Sequence, residues 1–411
     1  MPAPPVPGPP VDPGTPATFV WDDSLAAYDF GPGHPLAPVR VQLAVRLADE
    51  LGLLDPALAT RVPAREASDA ELQLVHERSY VDTVRRLSAY ADHGLVDLEH
   101  GLGTPDDPVF AGMHEASARV VGASLTAVEA VWSGRSQHAV NLAGGLHHAM
   151  RDRASGFCVY NDVAAAIQWA LDAGARRVAY VDVDVHHGDG VEAAFWDDDR
   201  VLTVSLHETG AALFPGTGFA RDIGGPHALG YAVNVALPPG TGDDGWLRAF
   251  GAVVPPLLRA FQPELLVTQH GCDSHALDPL ADLALSVDGQ RASYQALHAL
   301  AHEHAGGRWV AVGGGGYAHV DVVPRAWSHL VGEVVHAPVP PAAQVPAAWL
   351  SYVRERTGRE GPRRMTDGAQ PRPRPWSADD NDPAASAVDR AITATREAVL
   401  GLHGLDPYGA V

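Results

Sequence analysis

The chain contains no lysine: all 29 of its basic side chains, in 411 residues, are arginine. That absence removes lysine-closed phosphate loops, Schiff bases with a carbonyl or pyridoxal cofactor, and lysine general bases. Positive charge is scarce altogether, because 50 acidic residues leave a formal charge of -21. Such a field repels phosphate backbones and anionic lipid, so neither nucleic acid nor a membrane surface is expected as a direct partner. Cysteine is nearly absent too, and Cys158 and Cys272 are too few for a disulfide framework or a thiolate metal cluster. A reducing cytoplasm fits this usage. No apolar segment approaches the ~20 residues that span a bilayer. Residues 1–18 are rich in Pro and Ala and have neither a basic region nor an apolar run, so they read as a disordered arm rather than a signal peptide.

The length allows two or three domains of roughly 150 residues, or one large α/β domain. Helical patterns alternate with short β-branched runs from 19 to 335, the signature of a mainly parallel sheet covered by helices. The expected strands are Ala139–Leu142, Arg177–Asp184, Val201–His207, Ala232–Leu237, Glu264–Gln269 and Trp309–Gly313, all apolar enough for burial on both faces. Between them, helices are expected over Gly112–Val131, Asn161–Ala173, Gly245–Ala260, Val287–Ala305 and Val322–Val334. Beyond Val335 the composition turns to Pro, Ala and Arg, and 336–411 reads as an appendage with one last helix over Ala384–Leu400.

In an open α/β sheet, ligands bind at the carboxyl ends of the strands. Four polar segments follow strands here: NLAGGLHHA, the second half of YVDVDVHHGDG, QHGCDSHALDP and GGGGY. Asp182, Asp184 and His186 stand at i, i+2 and i+4, so an extended chain would project all three to one side. Two carboxylates and an imidazole make a poor core unless a cation compensates them. A lone D-x-H is equally well a surface acidic turn beside a satisfied histidine, but Asp273, after another strand, can complete a set with Asp184 and His186. Three protein ligands with an open position is the pattern of a catalytic metal. Oxygen-rich ligation with one imidazole suits Zn(II) first and Fe(II) second.

Metal-assisted hydrolysis is then the default reaction class, and it needs a proton acceptor. The adjacent His147 and His148 can supply it if Asp182 and Asp189, the unassigned carboxylates of the metal loop, orient their rings. A doublet among 21 histidines can also be structural. GGGGY lacks the spacing of a nucleotide loop. It is either a tight turn with an ordinary rim Tyr317, or a glycine run that brings the backbone close to the metal and presents the Tyr317 hydroxyl to a carbonyl.

Seven ordered motifs, GPGHPLAPVR, GGLHHA, GFCVYND, DVDVHHGDGVEAAF, FPGTGFARDIG, QHGCDSHALDPL and VGGGGY, resemble the histone deacetylase superfamily over about 20–335. TPDDPVFAGMHEAS and the HALDPLADL continuation are most similar to its bacterial acetoin-utilisation branch. The resemblance implies an arginase-like three-layer α/β/α fold and hydrolysis of acetyl-lysine through a narrow tunnel. It assigns Asp184, His186 and Asp273 to the metal, His147 and His148 with Asp182 and Asp189 to proton transfer, and Tyr317 to carbonyl polarisation. To substrate binding it assigns Phe157 and Phe214 as aromatic walls, Gly156 as a backbone acceptor, Leu280 as a tunnel contact and Asp106 at the rim. His34 and Arg40 match positions near the tunnel's inner end, although Arg40 could equally be a buried ion-pair partner. A K(+) or Na(+) ion would be held by backbone oxygens of Asp182, Asp184, His186 and Leu206 with the Ser205 hydroxyl. A second monovalent site would use backbone oxygens near Phe195, Asp198, Val201 and Tyr231. Ala37 and Pro279 replace basic residues with which class I relatives recruit inositol phosphate. His270 and His275 depart from the usual pattern, each as a tuner of the site or a solvent-facing or hydrogen-bonded loop residue.

The expected substrates are acylated lysines of proteins, in a bacterial setting metabolic enzymes such as acyl-CoA synthetases. Three rivals stay open. They are an acetylpolyamine amidohydrolase, a deacylase for longer or branched chains, and an inactive acyl-lysine-binding module.

Overall fold

The computed structural model describes residues 14–377 and 386–409. Eight strands form one sheet: β1 (Ala17–Val20), β2 (Ala59–Val62), β3 (His138–Asn141), β4 (Val178–Asp182), β5 (Val201–Glu208), β6 (Ala232–Leu237), β7 (Leu265–Gln269) and β8 (Trp309–Val312). The order is β2-β1-β3-β8-β7-β4-β5-β6, and every pair is parallel. The helices before β4 are α1 (Val39–Glu50), α2 (Asp69–Leu72), α3 (Arg78–Ala89), α4 (Met113–Trp132) and α5 (Asp162–Asp172). After it come α6 (Asp189–Ala194), α7 (Asp243–Phe261), α8 (Val287–His304), α9 (Val323–Val334), α10 (Ala347–Thr357) and α11 (Ala387–Val399).

Strand order and handedness decide which face each helix covers. Parallel crossovers are right-handed, so connections running one way along the sheet lie on one face and those running back lie on the other. The paths β2→β3, β3→β4 and β4→β5 run one way and put α4, α5 and α6 together, where α4 packs on α5 and α5 on α6. The paths β1→β2, β6→β7 and β7→β8 run back and carry α1, α7 and α8, with α9 packed between α1 and α8. The result is the three-layer α/β/α architecture of the arginase and deacetylase folds. Neighbouring loops depart to opposite faces between β3 and β8 and again between β7 and β4, which opens a crevice at the carboxyl end of the sheet.

Two strands lay outside the sequence expectation. β1 and β2 are only four residues each, too short for their alternation to register, and β1 takes Ala17 and Thr18 out of the segment read as an arm. The rest of that arm, up to residue 13, lies outside the described residues. β4 also ends at Asp182, two residues early, with consequences for the site. The tail is folded onto the body. Trp349 of α10 is buried and its indole N–H donates to the Leu43 carbonyl at 2.9 Å. Ser386 caps α11, which packs on β6 and α7, and Asp389 accepts from Arg248 at 2.8 Å. Residues 384 and 385 of the expected last helix lie outside the described residues, and α10 had not been anticipated. No helix among the described residues is long and apolar enough to cross a membrane.

Candidate active site

Loops after β3, β4, β7 and β8 converge at the crevice. After β3 the chain turns through Gly144 and Gly145, where buried Asp162, at the start of α5, accepts the Gly145 and Leu146 amides at 2.8 to 3.1 Å. The Asn161 side chain caps α5 and also reaches the Ala149 carbonyl, so one helix start clamps the histidine loop from both sides. His147 and His148 are thereby held with their rings tilted at 59° and their Nε2 atoms 3.0 Å apart. His147 Nδ1 meets Asp182 Oδ2 at 2.7 Å, and His148 Nδ1 meets Asp189 Oδ1 at 2.6 Å. Tyr180, two residues before Asp182 on the same strand face, donates its hydroxyl to the same carboxylate oxygen at 2.6 Å.

Two facing Nε2 atoms at this distance need one proton between them, and the carboxylates decide where it sits. Burial disfavours charge on both rings. Against it, Asp182 and Asp184 hold His147 up to about 9. His148 is pushed down to about 4 by burial and by the neighbouring His147 charge, which Asp189 only partly offsets. One imidazolium beside one imidazole is the state near neutrality, and the two titrate as a pair.

The metal loop differs in form from the extended segment its spacing suggested. Past Asp182 the chain leaves the strand, and the Asp184 and His186 amides turn back to Asp182 Oδ1 and Asp184 Oδ1. Even so, Asp184, His186 and Asp273 offer ligand atoms that all lie within 4.8 Å of one another. His186 Nδ1 is 3.0 Å from Asp184 Oδ1 and 3.2 Å from Asp273 Oδ2. Asp184 is already satisfied at Oδ2 by Gln269 Nε2 and the Gly315 amide. Asp273 Oδ2 is buried without a hydrogen-bond partner. Burial and the Asp184 charge raise Asp273 to about 6, while the two carboxylates, overcoming burial, hold His186 up to about 10. An orphaned carboxylate oxygen, and an imidazole kept protonated by two acids, are what a removable divalent cation would leave behind. The donor set fits a metal.

The glycines here serve close approach. A Cβ on Gly315 would lie 1.8 Å from Asp273 Oδ2, and one on Gly271 would lie 1.9 Å from Asp184 Oδ2. The glycine run also delivers Tyr317, whose amide donates to Asp278 Oδ2 at 2.8 Å. Burial, then Asp273 and Asp184, push its phenol well above the ordinary value, so it remains a donor.

The histone deacetylase domain family matches residues 34–334. The chain belongs to the histone deacetylase family. Acetoin utilization protein AcuC of Bacillus subtilis (strain 168) is 41% identical over 334 residues, covering 81% of this chain and 85% of that protein. The protein of that name from Staphylococcus xylosus is 37% identical over 341 residues, covering 81% and 86%. A histone deacetylase family member is a hydrolase of acetylated amides, and the family is in general metal-dependent.

A narrow cavity leads to the site, lined by His147, His148, Gly156, Phe157, Asp184, His186 and Tyr317. Phe214 stands beside it, its ring 5.0 Å from that of His148, and is 43% exposed. Phe157 lies against Tyr317 at 5.8 Å. Gly156 leaves no room for a side chain, because a Cβ would meet His148 at 2.6 Å and Phe214 at 2.8 Å. Asp106 is exposed, and Leu280 is half-buried outside the cavity lining, its amide bound to Asp278 Oδ1. Asp278 therefore ties the Leu280 turn to Tyr317.

His34 is not at the inner end of the cavity: Nε2 is 3.0 Å from the Asp106 carbonyl and its ring packs on Phe157, near the rim. Arg40 is buried, donates to the Gly314 carbonyl at 2.7 Å and lies over Trp327, with no ion pair among the described residues. His275 is buried and bound to Asp367 of the tail at 2.9 Å, and His270 is a core residue bonded to Thr268. Neither faces solvent. Ser205 pairs with Asp182 across β4 and β5, which brings two members of the first monovalent set side by side. In the second set, the Phe195, Asp198 and Tyr231 carbonyls already accept backbone amides.

Gln269, Tyr180, Asp162 and Asp278 were missed in the sequence. Only Tyr180 had a local signal, its i, i+2 spacing from Asp182.

Proposed function

We propose that the protein is a zinc-dependent protein-lysine deacylase, hydrolysing the amide of Nε-acetyl-lysine to lysine and acetate. The observation that carries this is the His147–His148 pair, each ring backed by its own carboxylate, beside three convergent metal-type ligands at the foot of a narrow cavity flanked by Phe157 and Phe214. Phe157 and Phe214, flanking the entrance, would grip a slender aliphatic stem ending in a planar amide.

When bound, the divalent ion supplies Lewis acidity toward the carbonyl oxygen and acidifies water. His148, the unprotonated imidazole, accepts the proton of the attacking water. Tyr317 donates its hydroxyl proton in a hydrogen bond to the oxygen on which negative charge develops. His147, the imidazolium, delivers its proton to the amine nitrogen as the C–N bond breaks. Asp182 and Asp189 fix the ring tautomers through Nδ1. Asp106, exposed at the rim, is placed to accept amide protons from a substrate backbone.

Acylated metabolic enzymes such as acyl-CoA synthetases are the proposed substrates, a reading supported by likeness to relatives named for acetoin utilisation. The proposed setting is the cytoplasm, in keeping with two buried free cysteines. The test is turnover of zinc-loaded protein on acyl-lysine peptides of graded acyl length, with acetylated polyamines alongside. Preference for acetyl-lysine peptide supports the assignment. Preference for the polyamine transfers it to small-amine hydrolysis, and silence toward every substrate leaves a binding module.

A further inference from the structure

A second group of histidines lies at the other end of the sheet. His138 opens β3, His298 and His302 stand one turn apart on α8, and His336 follows α9. One ring nitrogen from each falls within 4.8 Å of all the others. β3 separates this group from the catalytic loop, which begins after Asn141, by three strand steps or roughly 10 Å. The two clusters share no residue.

Several independent details aim lone pairs at the centre of this group. His138 is 1% exposed, and its Nδ1 lies 2.9 Å from the Val334 carbonyl. A carbonyl only accepts, so Nδ1 carries the hydrogen and Nε2 is left as a bare acceptor. That Nε2 is buried with no hydrogen-bond partner. His298 and His302 bring their Nε2 atoms to 3.1 Å, about the spacing of two ligands on a tetrahedral zinc with bonds of about 2.0 Å. On its other side His298 Nδ1 is 3.5 Å from buried Glu333, the carboxylate backing that orients metal-bound imidazoles. His298 also stacks on Trp309, which fixes its plane.

His336 adds a conformational argument. The α9 helix ends with the Ala337 amide reaching back to the Gly332 carbonyl, a closure that puts the residue before it in the left-handed region. Glycine or asparagine is the inexpensive choice there, yet His336 occupies it at φ +56°. The strained backbone points its ring at the group, with its centroid 4.6 Å from His138 and 4.9 Å from His298.

We propose that His138, His298, His302 and His336 form a second metal site, closed and all-imidazole, for a divalent transition ion of the zinc class. Four neutral imidazoles suit a borderline ion such as Zn(II) and are poor ligands for Mg(II) or Ca(II). The site would tie β3, α8 and the end of α9 together on the face away from the cavity. No protein position is left for substrate, so its role is structural. Burial pushes His138 down to about 3, which keeps its acceptor unprotonated.

The test uses the full chain stripped by chelator and titrated with Zn(II) by calorimetry, with Co(II) absorption as a second probe. Two equivalents are expected in the natural protein and one in a His302→Gln/His336→Gln variant. Both replaced residues are exposed, so the variant should keep its far-UV circular dichroism and its zinc-loaded hydrolytic rate. An Asp184→Asn/Asp273→Asn variant should still bind one equivalent, at the four histidines, whether or not the chain is a lysine deacylase. One equivalent in the natural protein with none in the Asp184/Asp273 variant overturns the proposal, as does an unchanged two equivalents after loss of His302 and His336. Should the histidine variant unfold, single His302→Gln in the Asp184→Asn/Asp273→Asn background decides by the same count.

Discussion

The two ends of β3 hold histidines in opposite electrical settings. At the carboxyl end, His147, His148 and His186 each contact an aspartate, and two of the three are held protonated despite burial. At the amino end, His138, His302 and His336 face mainly other imidazoles, and burial lowers all three. The same side chain becomes a proton carrier in one place and a bare nitrogen ligand in the other, according to which neighbours are anionic. Asp182, Asp184, Asp189 and Asp273 stand at the end where protons must move, against Glu333 beside His298 at the other.

The sharpest way to break that contrast is to remove a rim imidazole. His148→Ala should lower kcat by roughly 10²–10⁴-fold, the usual worth of a positioned base, whereas His302→Gln should leave kcat unchanged. Steady-state kinetics on an acetyl-lysine peptide compares the two. Tyr317→Phe comes next, with a loss of roughly 10²–10³-fold expected for one donor to the developing oxyanion; full activity would remove Tyr317 from the mechanism. Gln269→Ala takes away a donor to Asp184 Oδ2 and should weaken zinc at the rim about 10–100-fold, read by chelator competition, without touching the four-histidine group.

The pH profile sharpens the comparison within the rim itself. Activity should rise as His148 loses its proton, from about 4 upward, and fall as His147 loses its own, near about 9. A cation seated at Asp184 lowers both imidazoles together, so the loaded enzyme should show a bell displaced to lower pH, measured as kcat/KM.

The smallest effect concerns the tail. Asp367 accepts from His275, Arg325 and the Val287 amide, and these partners hold its carboxyl far below the usual range against the cost of burial. With the folded value depressed, its contribution is complete above the unfolded value of about 3.9 and disappears as pH falls through the folded one. Asp367→Asn should cost about 2 kcal/mol at neutral pH, seen as a lower Tm, and the difference from the natural protein should shrink in acid. Because His275 lies two residues past Asp273, a drop in zinc affinity should accompany it.

Much of this was legible in the chain. β3 to β8 could be read as apolar runs because burial on both faces leaves little polar interruption, and each conspicuous polar motif followed one of them. Asp184, His186 and Asp273, with His147, His148 and their carboxylates, could be gathered by asking what would neutralise buried charge. β1 and β2 could not, since four residues carry no period, and α10 was hidden by surrounding prolines although Trp349 and Val353 anchor it. His34 was misplaced because its surroundings, the Asp106 carbonyl and the Phe157 ring, come from residues far along the chain.

By itself, then, the sequence determined the α/β class, the rim on which chemistry would sit and the residue types that would perform it, because these follow from local pattern and the cost of burying charge. Tertiary structure alone decided which imidazole holds the proton, that the metal loop bends away from β4, and that four histidines spread over 138–336 meet at one point. Those facts depend on crossover handedness and strand register, which bring together side chains that no local spacing connects.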